Sequence, residues 1–279
     1  MEAAAEEEKA TKNFTEDPAI LDKYKAAAQI ASQVLLRIVS EKIEAGADIA
    51  TVCEFGDSLI EEELKKVYAS KKTKKVERGL AFPTCLSVNH VCGNFSPLKE
   101  DSVELKAGDL VKVDLGCHID GYVAQTAHSL VVPEKIGAET KVSSRAADVL
   151  LAAHTAHEAA IRTIRAGNTN DQVTDAIAQA CEEFKCNPLE GVLSHKLKKH
   201  VIDGNDTIIN KRCAAEFLQD VETYTFEKGD VFSLDVTVST GEGKTKEFQD
   251  CRTTVFKRDL ENTYILKSKT ARAFLSQVN

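Results

Sequence analysis

The spacing of apolar residues predicts two long helices near the start of the chain. From Asp22 to Glu44, apolar side chains recur at the three- and four-residue spacing that places them on one face of a helix. Gly46 marks the end of this helix, because glycine is favoured just beyond a helix C-terminus. A second helix is predicted from about Ile49 to Tyr68, and strands are predicted at Leu80 to Val91 and at Leu110 to Leu115.

The same order of elements recurs later in the chain. Val142 to Arg165 and Gln172 to Phe184 are predicted helices, and Phe232 to Val238 is a predicted strand. Four pairs of identical residues relate the two parts at a constant offset of 121 residues. They are Gly46 with Gly167, Gly108 with Gly229, Asp109 with Asp230, and Asp114 with Asp235. Two copies are too few for a solenoid, so we expect one domain over 15–279 with internal pseudo-symmetry, its halves covering about 22–135 and 140–260.

The repeat places two aspartates at equivalent positions. A two-fold axis between the halves would bring Asp114 and Asp235 close together. Converging carboxylates are typical of a metal site or an acid/base pair. The alternative is that each carboxylate caps a turn or pairs with a nearby lysine, and the repeat alone leaves both interpretations open.

Composition narrows the class of protein. The chain has 279 residues, of which 43% are hydrophobic and 29% charged, which is typical of a globular protein with a large core. Its net charge of -8 argues against indiscriminate binding to polyanions. Residues 1–14 are acidic and without an apolar signal core, and are expected to form a flexible tail. The chain contains no apolar run long enough to span a membrane, and its eight scattered cysteines predict reduced thiols.

Several long motifs resemble those of type II methionine aminopeptidases. Two of them are Gly79-Leu-Ala-Phe-Pro-Thr84 and Gly108-Asp-Leu-Val-Lys-Val-Asp-Leu-Gly116. Leu189 to Gly204 and Arg252-Thr-Thr-Val-Phe-Lys-Arg-Asp259 are more similar to the non-enzymatic branch of that superfamily, the proliferation-associated, ErbB-receptor-binding proteins. The resemblance runs from about Thr15 to the last residue. It implies an α+β pita-bread fold, in which two pseudo-symmetric halves surround a curved antiparallel sheet and the helices lie outside.

Members of this family continue beyond the point where the present chain stops. They add further strands of the second half, a leucine-rich interaction motif and a lysine-rich tail. We therefore expect the domain to be C-terminally incomplete, with truncated strands that leave an exposed apolar edge in the second half.

The resemblance also implies that the chain has an incomplete set of metal ligands. The aminopeptidases hold two metal ions with two aspartates, one histidine and two glutamates. Four of these positions correspond to Asp114, Gln125, His195 and Asp235, and the fifth would lie beyond Asn279. Gln125 offers only a neutral oxygen, and Asp235 is about 1.5 Å shorter than glutamate, against a tolerance of about 0.2 Å for metal ligands. We expect a vestigial site with no cofactor, although weak binding of one hard ion stays open.

Two neighbouring positions also depart from the enzymes. Asn94 and Asp203 stand where the aminopeptidases have histidines that act on the substrate. Neither side chain replaces imidazole as an acid or base near neutral pH. The resemblance therefore implies a protein without catalytic residues. The alternative is a metal-dependent methionine aminopeptidase or prolidase in which His195 is a working ligand.

A basic stretch suggests a binding function. Seven cations lie within fourteen residues, and only Glu77 opposes them. The cations are Lys65, Lys66, Lys71, Lys72, Lys74, Lys75 and Arg78. Such a stretch is typical of contact with a phosphate backbone, although a solvated helix end and loop is the alternative. Few aromatic residues interleave with it, so base stacking is not indicated.

The family resemblance implies partners that suit this stretch. Its members are associated with the large ribosomal subunit near the nascent-chain exit, with ribosomal and other structured RNA, and with growth and translation control. We accordingly expect a monomer that does not bind membranes and is cytoplasmic, with a nuclear or nucleolar pool. A further alternative is an interaction scaffold for growth-signalling proteins, whose emptied cleft binds a peptide end.

Overall fold

The computed structural model describes residues 17–70, 73, 75–213, 221–247, 251–259, 262 and 264–278. The tail expected at 1–14 lies outside these described residues, as do Lys71, Lys72 and Lys74 of the basic stretch. Within the described ranges, no helix combines the length and the apolarity that are needed to cross a membrane.

The first half is a helix pair packed on a three-stranded sheet. The helices are α1, Pro18–Glu41, and α2, Ile49–Lys66, and the strands are β1, Arg78–Val88, β2, Leu110–Ile119, and β3, Tyr122–Val131. The strands are antiparallel and lie in the order β1-β2-β3. Both predicted helices are confirmed, whereas β3 had no counterpart in the prediction.

The second half has the same helix pair but much shorter strands. Its helices are α3, Ser144–Thr163, and α4, Asn170–Glu183, close to the predicted limits. The strands are β4, Asn187–Pro188, β5, Leu193–Lys196, β6, Thr207–Ile209, β7, Phe232–Ser233, and β8, Val238–Ser239. The prediction of one strand from Phe232 to Val238 is wrong, because β7 pairs with β5 whereas β8 pairs with β4. A final helix, α5, spans Lys269–Val278.

The two halves have separate hydrophobic cores of different size. The first core joins α1 and α2 to the inner face of β2, and includes the fully buried side chains of Ile38, Ile60 and Leu115. The second core is smaller and centres on the α3–α4 pair, where Ile177 is fully buried. Burial of apolar surface is the main stabilising term in folding, so we expect the first core, as far as the described residues show it, to contribute more to stability than the second.

The halves repeat the same local backbone structure at the 121-residue offset. Gly46 has a φ of 84°, and its N–H donates to the carbonyl of Leu105 at 2.8 Å. Gly167 has a φ of 96°, and its N–H donates to the carbonyl of Phe226 at 3.0 Å. Leu105 and Phe226 are also 121 residues apart. Glycine adopts this left-handed conformation without the steric cost that a side chain imposes, which explains why it occupies both positions.

Large apolar side chains are exposed in the last described part of the chain. Phe256, Ile265 and Phe274 keep 80%, 88% and 67% of their surface accessible. The strands of the second half are two to four residues long, so little sheet is present there to cover these side chains.

The start of α2 gives a first testable prediction. Asp48 caps this helix, since its Oδ1 atom accepts from the Thr51 N–H at 2.8 Å and its other oxygen accepts from the Ser102 hydroxyl. The hydrogen bond from Ser102 is the main reason why the pKa of Asp48 lies below its ordinary value. We expect Asp48→Ala to lower the free energy of unfolding by about 1–2 kcal/mol at pH 7.

The pH dependence follows from the sign of that shift. Ionised Asp48 stabilises the folded state above the ordinary aspartate pKa, and this contribution is lost as the pH falls through the lower pKa of the folded state. Urea unfolding at pH 7 and at pH 2 would measure the difference, with Asp22→Ala on the exposed surface of α1 as the control. A cost that is equal at both pH values would contradict an ionised cap.

Candidate functional site

Asp114 lies on β2, on the sheet face that points away from α1 and α2. Its neighbours across the sheet are Cys85 on β1 and Ala127 on β3. The adjacent residues Val113 and Leu115 point the opposite way and are fully buried in the first core. Strand alternation therefore directs the apolar residues of β2 into the core and Asp114 into the cleft between the halves.

Asp235 approaches from the second half, and its backbone is held by a side chain rather than by a strand ladder. The Asp235 N–H donates to the Ser194 hydroxyl at 2.9 Å, and that hydroxyl donates to the Asp235 carbonyl at 3.2 Å. The Thr237 hydroxyl also donates to the Asp235 carboxylate at 3.1 Å. The Asp235 side chain is accessible to water although many protein atoms surround it, as expected on the floor of an open cleft.

His195 lies on β5, near the Asp235 carboxylate. Its Nδ1 atom is 3.1 Å from the carbonyl oxygen of Gly204. A carbonyl oxygen only accepts hydrogen bonds, so Nδ1 is the donor in this contact. Gly204 is required for this contact, because a Cβ atom there would lie 2.3 Å from the backbone oxygen of Lys196.

The cleft carboxylates are electrostatically coupled across the two halves. Burial, followed by the charge of Asp235, raises the pKa of Asp114 to about 7. Burial also raises the pKa of Asp235, while the Thr237 hydrogen bond and the nearby His195 and His157 oppose the rise. The approach of Asp114 to Asp235 agrees with the geometry that the sequence repeat predicts. At neutral pH the pair carries less than two negative charges, since a raised pKa means partial protonation.

His157 is a further histidine near the cleft that the sequence did not predict. It lies on α3, and burial lowers its pKa while the charge of Asp235 opposes this. It lines a cavity of about 450 Å³ together with Tyr24, Gln125 and Phe232. No local motif marks it, because it sits within an alanine-rich helix whose pattern predicts only packing.

Gln125 faces the same cleft as Asp114. It lies on β3 opposite Gly116, and residues directly opposite one another in an antiparallel pair point to the same side of the sheet. Gly116 keeps this place open, because a Cβ atom there would lie 2.6 Å from the Phe82 ring. The cleft thus presents a neutral amide where a bridging carboxylate would be needed.

The donor set does not fit a pair of divalent ions. Asp114 and Asp235 are its two anionic groups, and Gln125 and His195 are neutral donors at most. Two divalent ions carry four positive charges, so most of that charge would be uncompensated. Within the described ranges, no group of three or more histidine, cysteine, aspartate or glutamate side chains is arranged to hold a metal ion.

Asn94 and Asp203 stand where the resemblance implies histidines that act on the substrate, and both are exposed. Asn94 is exposed and has a φ of 57°, as expected for an asparagine in a tight turn. Asp203 is exposed and forms an ion pair with Lys257.

The described part of the basic stretch is partly neutralised. Lys65 lies 3.9 Å from Glu61, and Lys66 lies 2.6 Å from Glu63 along the same helix. The Arg78 guanidinium donates to the backbone oxygen of Val67. Lys75 is exposed. The field of this stretch is therefore weaker than the count of seven cations suggests.

Known proteins resemble this chain over most of its length. Residues 22–266 match metallopeptidase family M24. Proliferation-associated protein A of Dictyostelium discoideum is 43% identical over 94% of this chain and 66% of its own length. ErbB-3 binding protein 1 of Arabidopsis thaliana is 42% identical over 94% of this chain and 64% of its own length. The chain therefore spans slightly less than two thirds of these relatives.

A solved structure shares the fold. The structure of a thermophilic Arx1 superposes with a TM-score of 0.79 and 30% sequence identity, covering 93% of this chain and 73% of that one. The α+β pita-bread fold expected from the sequence is confirmed by this match and by the helices and antiparallel strands described above.

Proposed function

From its membership of metallopeptidase family M24 we propose that the chain is a non-catalytic binding factor. Within this family it belongs to the proliferation-associated, ErbB-receptor-binding group. Its proposed partners are the large ribosomal subunit near the nascent-chain exit, ribosomal RNA and other structured RNA. Its proposed role is in growth and translation control. It acts as a monomer in the cytoplasm, with a nuclear or nucleolar pool.

The chemistry of the cleft carries the non-catalytic part of this proposal. Gln125 supplies a neutral oxygen beside Asp114, and Asp235 reaches less far than a glutamate would. Asn94 and Asp203 supply no imidazole for proton transfer.

Restoring the carboxylates tests this argument without relying on activity. We expect Gln125→Asp combined with Asp235→Glu to bind Mn²⁺ at least about tenfold more tightly than the natural chain, because two full-length carboxylates replace one amide and one short side chain. Isothermal titration calorimetry would measure both affinities, and His195→Ala in the double variant should reduce the gain. Equally tight binding by the natural chain would contradict a degenerate site.

The main alternative is a metal-dependent methionine aminopeptidase or prolidase. Asp114 and His195 both lie near Asp235, which is the observation in its favour. Assays with methionyl and X-Pro peptides in the presence of Co²⁺ or Mn²⁺ separate the two functions. We expect no turnover above that of the metal ion alone. Turnover that His195→Ala abolishes would replace our proposal by the enzymatic one.

Ribosome binding has its own test. The chain should co-sediment with the large subunit at low salt and dissociate as the salt concentration rises, because phosphate contacts release counterions. Co-sedimentation that does not depend on salt, or none at all, would count against the proposal. Cross-linking to growth-signalling proteins in cells without any ribosome contact would favour the interaction scaffold instead.

A further inference from the structure

A second basic segment, distant in sequence, lies against the end of the first. The β2–β3 turn is the link, since the Asp120 N–H donates to the Glu77 carbonyl at 2.7 Å. The Gly121 carbonyl in the same turn accepts from the His200 N–H at 2.8 Å. Residues 75–78 and 198–200 are therefore neighbours in space although more than a hundred residues separate them.

Asp120 gathers two more lysines at this place. One of its oxygens is 2.6 Å from Lys23 Nζ on α1, and the other is 3.1 Å from Lys199 Nζ. Both ammonium groups also lie over the Tyr122 ring, at 5.4 and 5.8 Å from its centroid. These contacts keep the two cations together although one carboxylate neutralises only one of them.

From these contacts we propose that the two segments form one composite surface, which binds the phosphate backbone of structured RNA. This inference rests on the proposed function and adds the site at which the chain contacts RNA. We call it the turn surface. Its cations are Lys23, Lys75, Arg78, Lys198 and Lys199. Five cations face the two carboxylates of Glu77 and Asp120, so the described residues of the turn surface carry a net charge of +3 in a chain whose total is -8.

Lysine ammonium groups suit phosphate oxygens as point charges. Lys75 and Lys198 are exposed, and Lys199 keeps 43% of its side chain accessible. The cations come from α1, the turn that leads into β1, the first residue of β1 and the turn after β5, and so form a broad basic area. The wide, shallow minor groove of A-form RNA presents phosphates over such an area, whereas an acidic peptide needs pockets for its side chains.

The apposition of the two segments depends on one glycine. Gly121 has a φ of 78°, and a Cβ atom added there would lie 2.6 Å from the His200 ring. Gly121→Ala therefore crowds the His200 ring and strains the β2–β3 turn, which disturbs the contact between the two segments without changing any charge. The substitution disturbs the arrangement of the two basic segments of the turn surface, and it leaves the net charge of that surface unchanged.

The experiment measures binding of a 20-base-pair RNA duplex by fluorescence anisotropy at several salt concentrations. We expect Lys75→Ala and Lys198→Ala each to lower the salt slope by about one, and the double variant by about two. Gly121→Ala should also weaken binding severalfold. Lys106→Ala is the control, since this exposed lysine precedes β2 at the other end of the strand, about 30 Å away. Circular dichroism would verify that each variant is folded.

Three results would overturn the inference in different ways. If Lys198→Ala and folded Gly121→Ala both bind like the natural chain while Lys75→Ala is weaker, the surface is not composite, but the proposed function stands. If polyglutamate of equal charge competes as well as unlabelled RNA, the partner class is wrong. If the natural chain binds neither the duplex nor ribosomes, the inference and the proposed function both fail.

Discussion

Asp114→Asn is expected to raise the free energy of unfolding by about 2 kcal/mol at pH 8 and to leave it nearly unchanged at pH 4. The reason is that burial and the charge of Asp235 raise the pKa of Asp114 from 3.8 to about 7 in the folded chain. Each pKa unit corresponds to about 1.4 kcal/mol, which gives an upper limit of about 4 kcal/mol. Water enters the open cleft and screens the charges, so we expect about half of this limit.

The sign follows from proton binding. Between pH 4 and pH 7, the folded chain holds a proton on Asp114 that the unfolded chain has already released. The free energy of unfolding of the natural chain therefore falls as the pH rises through this range, and the asparagine variant lacks this contribution. Urea unfolding from pH 4 to pH 8 would show it, with the exposed Asp22→Asn as the control. A variant that is less stable than the natural chain at pH 8 would show that ionised Asp114 stabilises the cleft.

Ile38→Ala is expected to lower the free energy of unfolding by about 2–5 kcal/mol. Ile38 lies on α1 and is fully buried in the first core, so its truncation removes apolar contacts and leaves a cavity. Leu36 is two residues away on the same helix and is 68% exposed. Leu36→Ala should therefore change the stability by less than about 0.5 kcal/mol. Chemical unfolding followed by circular dichroism measures both.

Ile177→Ala completes this comparison. Ile177 is equally buried but belongs to the smaller second core. We expect hydrogen exchange to quicken mainly in α3 and α4 for this variant, and throughout the chain for Ile38→Ala. Equal responses of both halves to both substitutions would show that the two cores unfold as one unit.

The helices could be predicted because their apolar stripes are regular and their ends carry glycine or capping residues. The strands were harder, for reasons that concern the cleft. β3 carries Gln125, Thr126 and His128, since part of it borders open space, and its apolar alternation is correspondingly weak. The strand predicted across Asp235 is interrupted because the Ser194 hydroxyl replaces the ladder hydrogen bonds there.

The candidate site was predictable only where symmetry or resemblance pointed to it. The constant offset predicted that Asp114 and Asp235 would approach each other, and they lie close enough for the charge of Asp235 to raise the pKa of Asp114. The repeat contained no signal for His157, and nothing in the sequence joined Lys198 to Lys75. Those relations depend on how α3 and the β2–β3 turn pack, and packing between distant segments leaves no periodic trace.

The separation of the two cores also has a consequence for synthesis. Among the residues that the structure describes, all buried members of the first core fall between Ala27 and Val132, and none comes from the second half. Translation delivers the chain from its N-terminus, and domains generally fold in that order. The first half can therefore close its core while later residues are still being added. The second half would then fold on a finished template, with the β2–β3 turn already in position to receive Lys199 and His200.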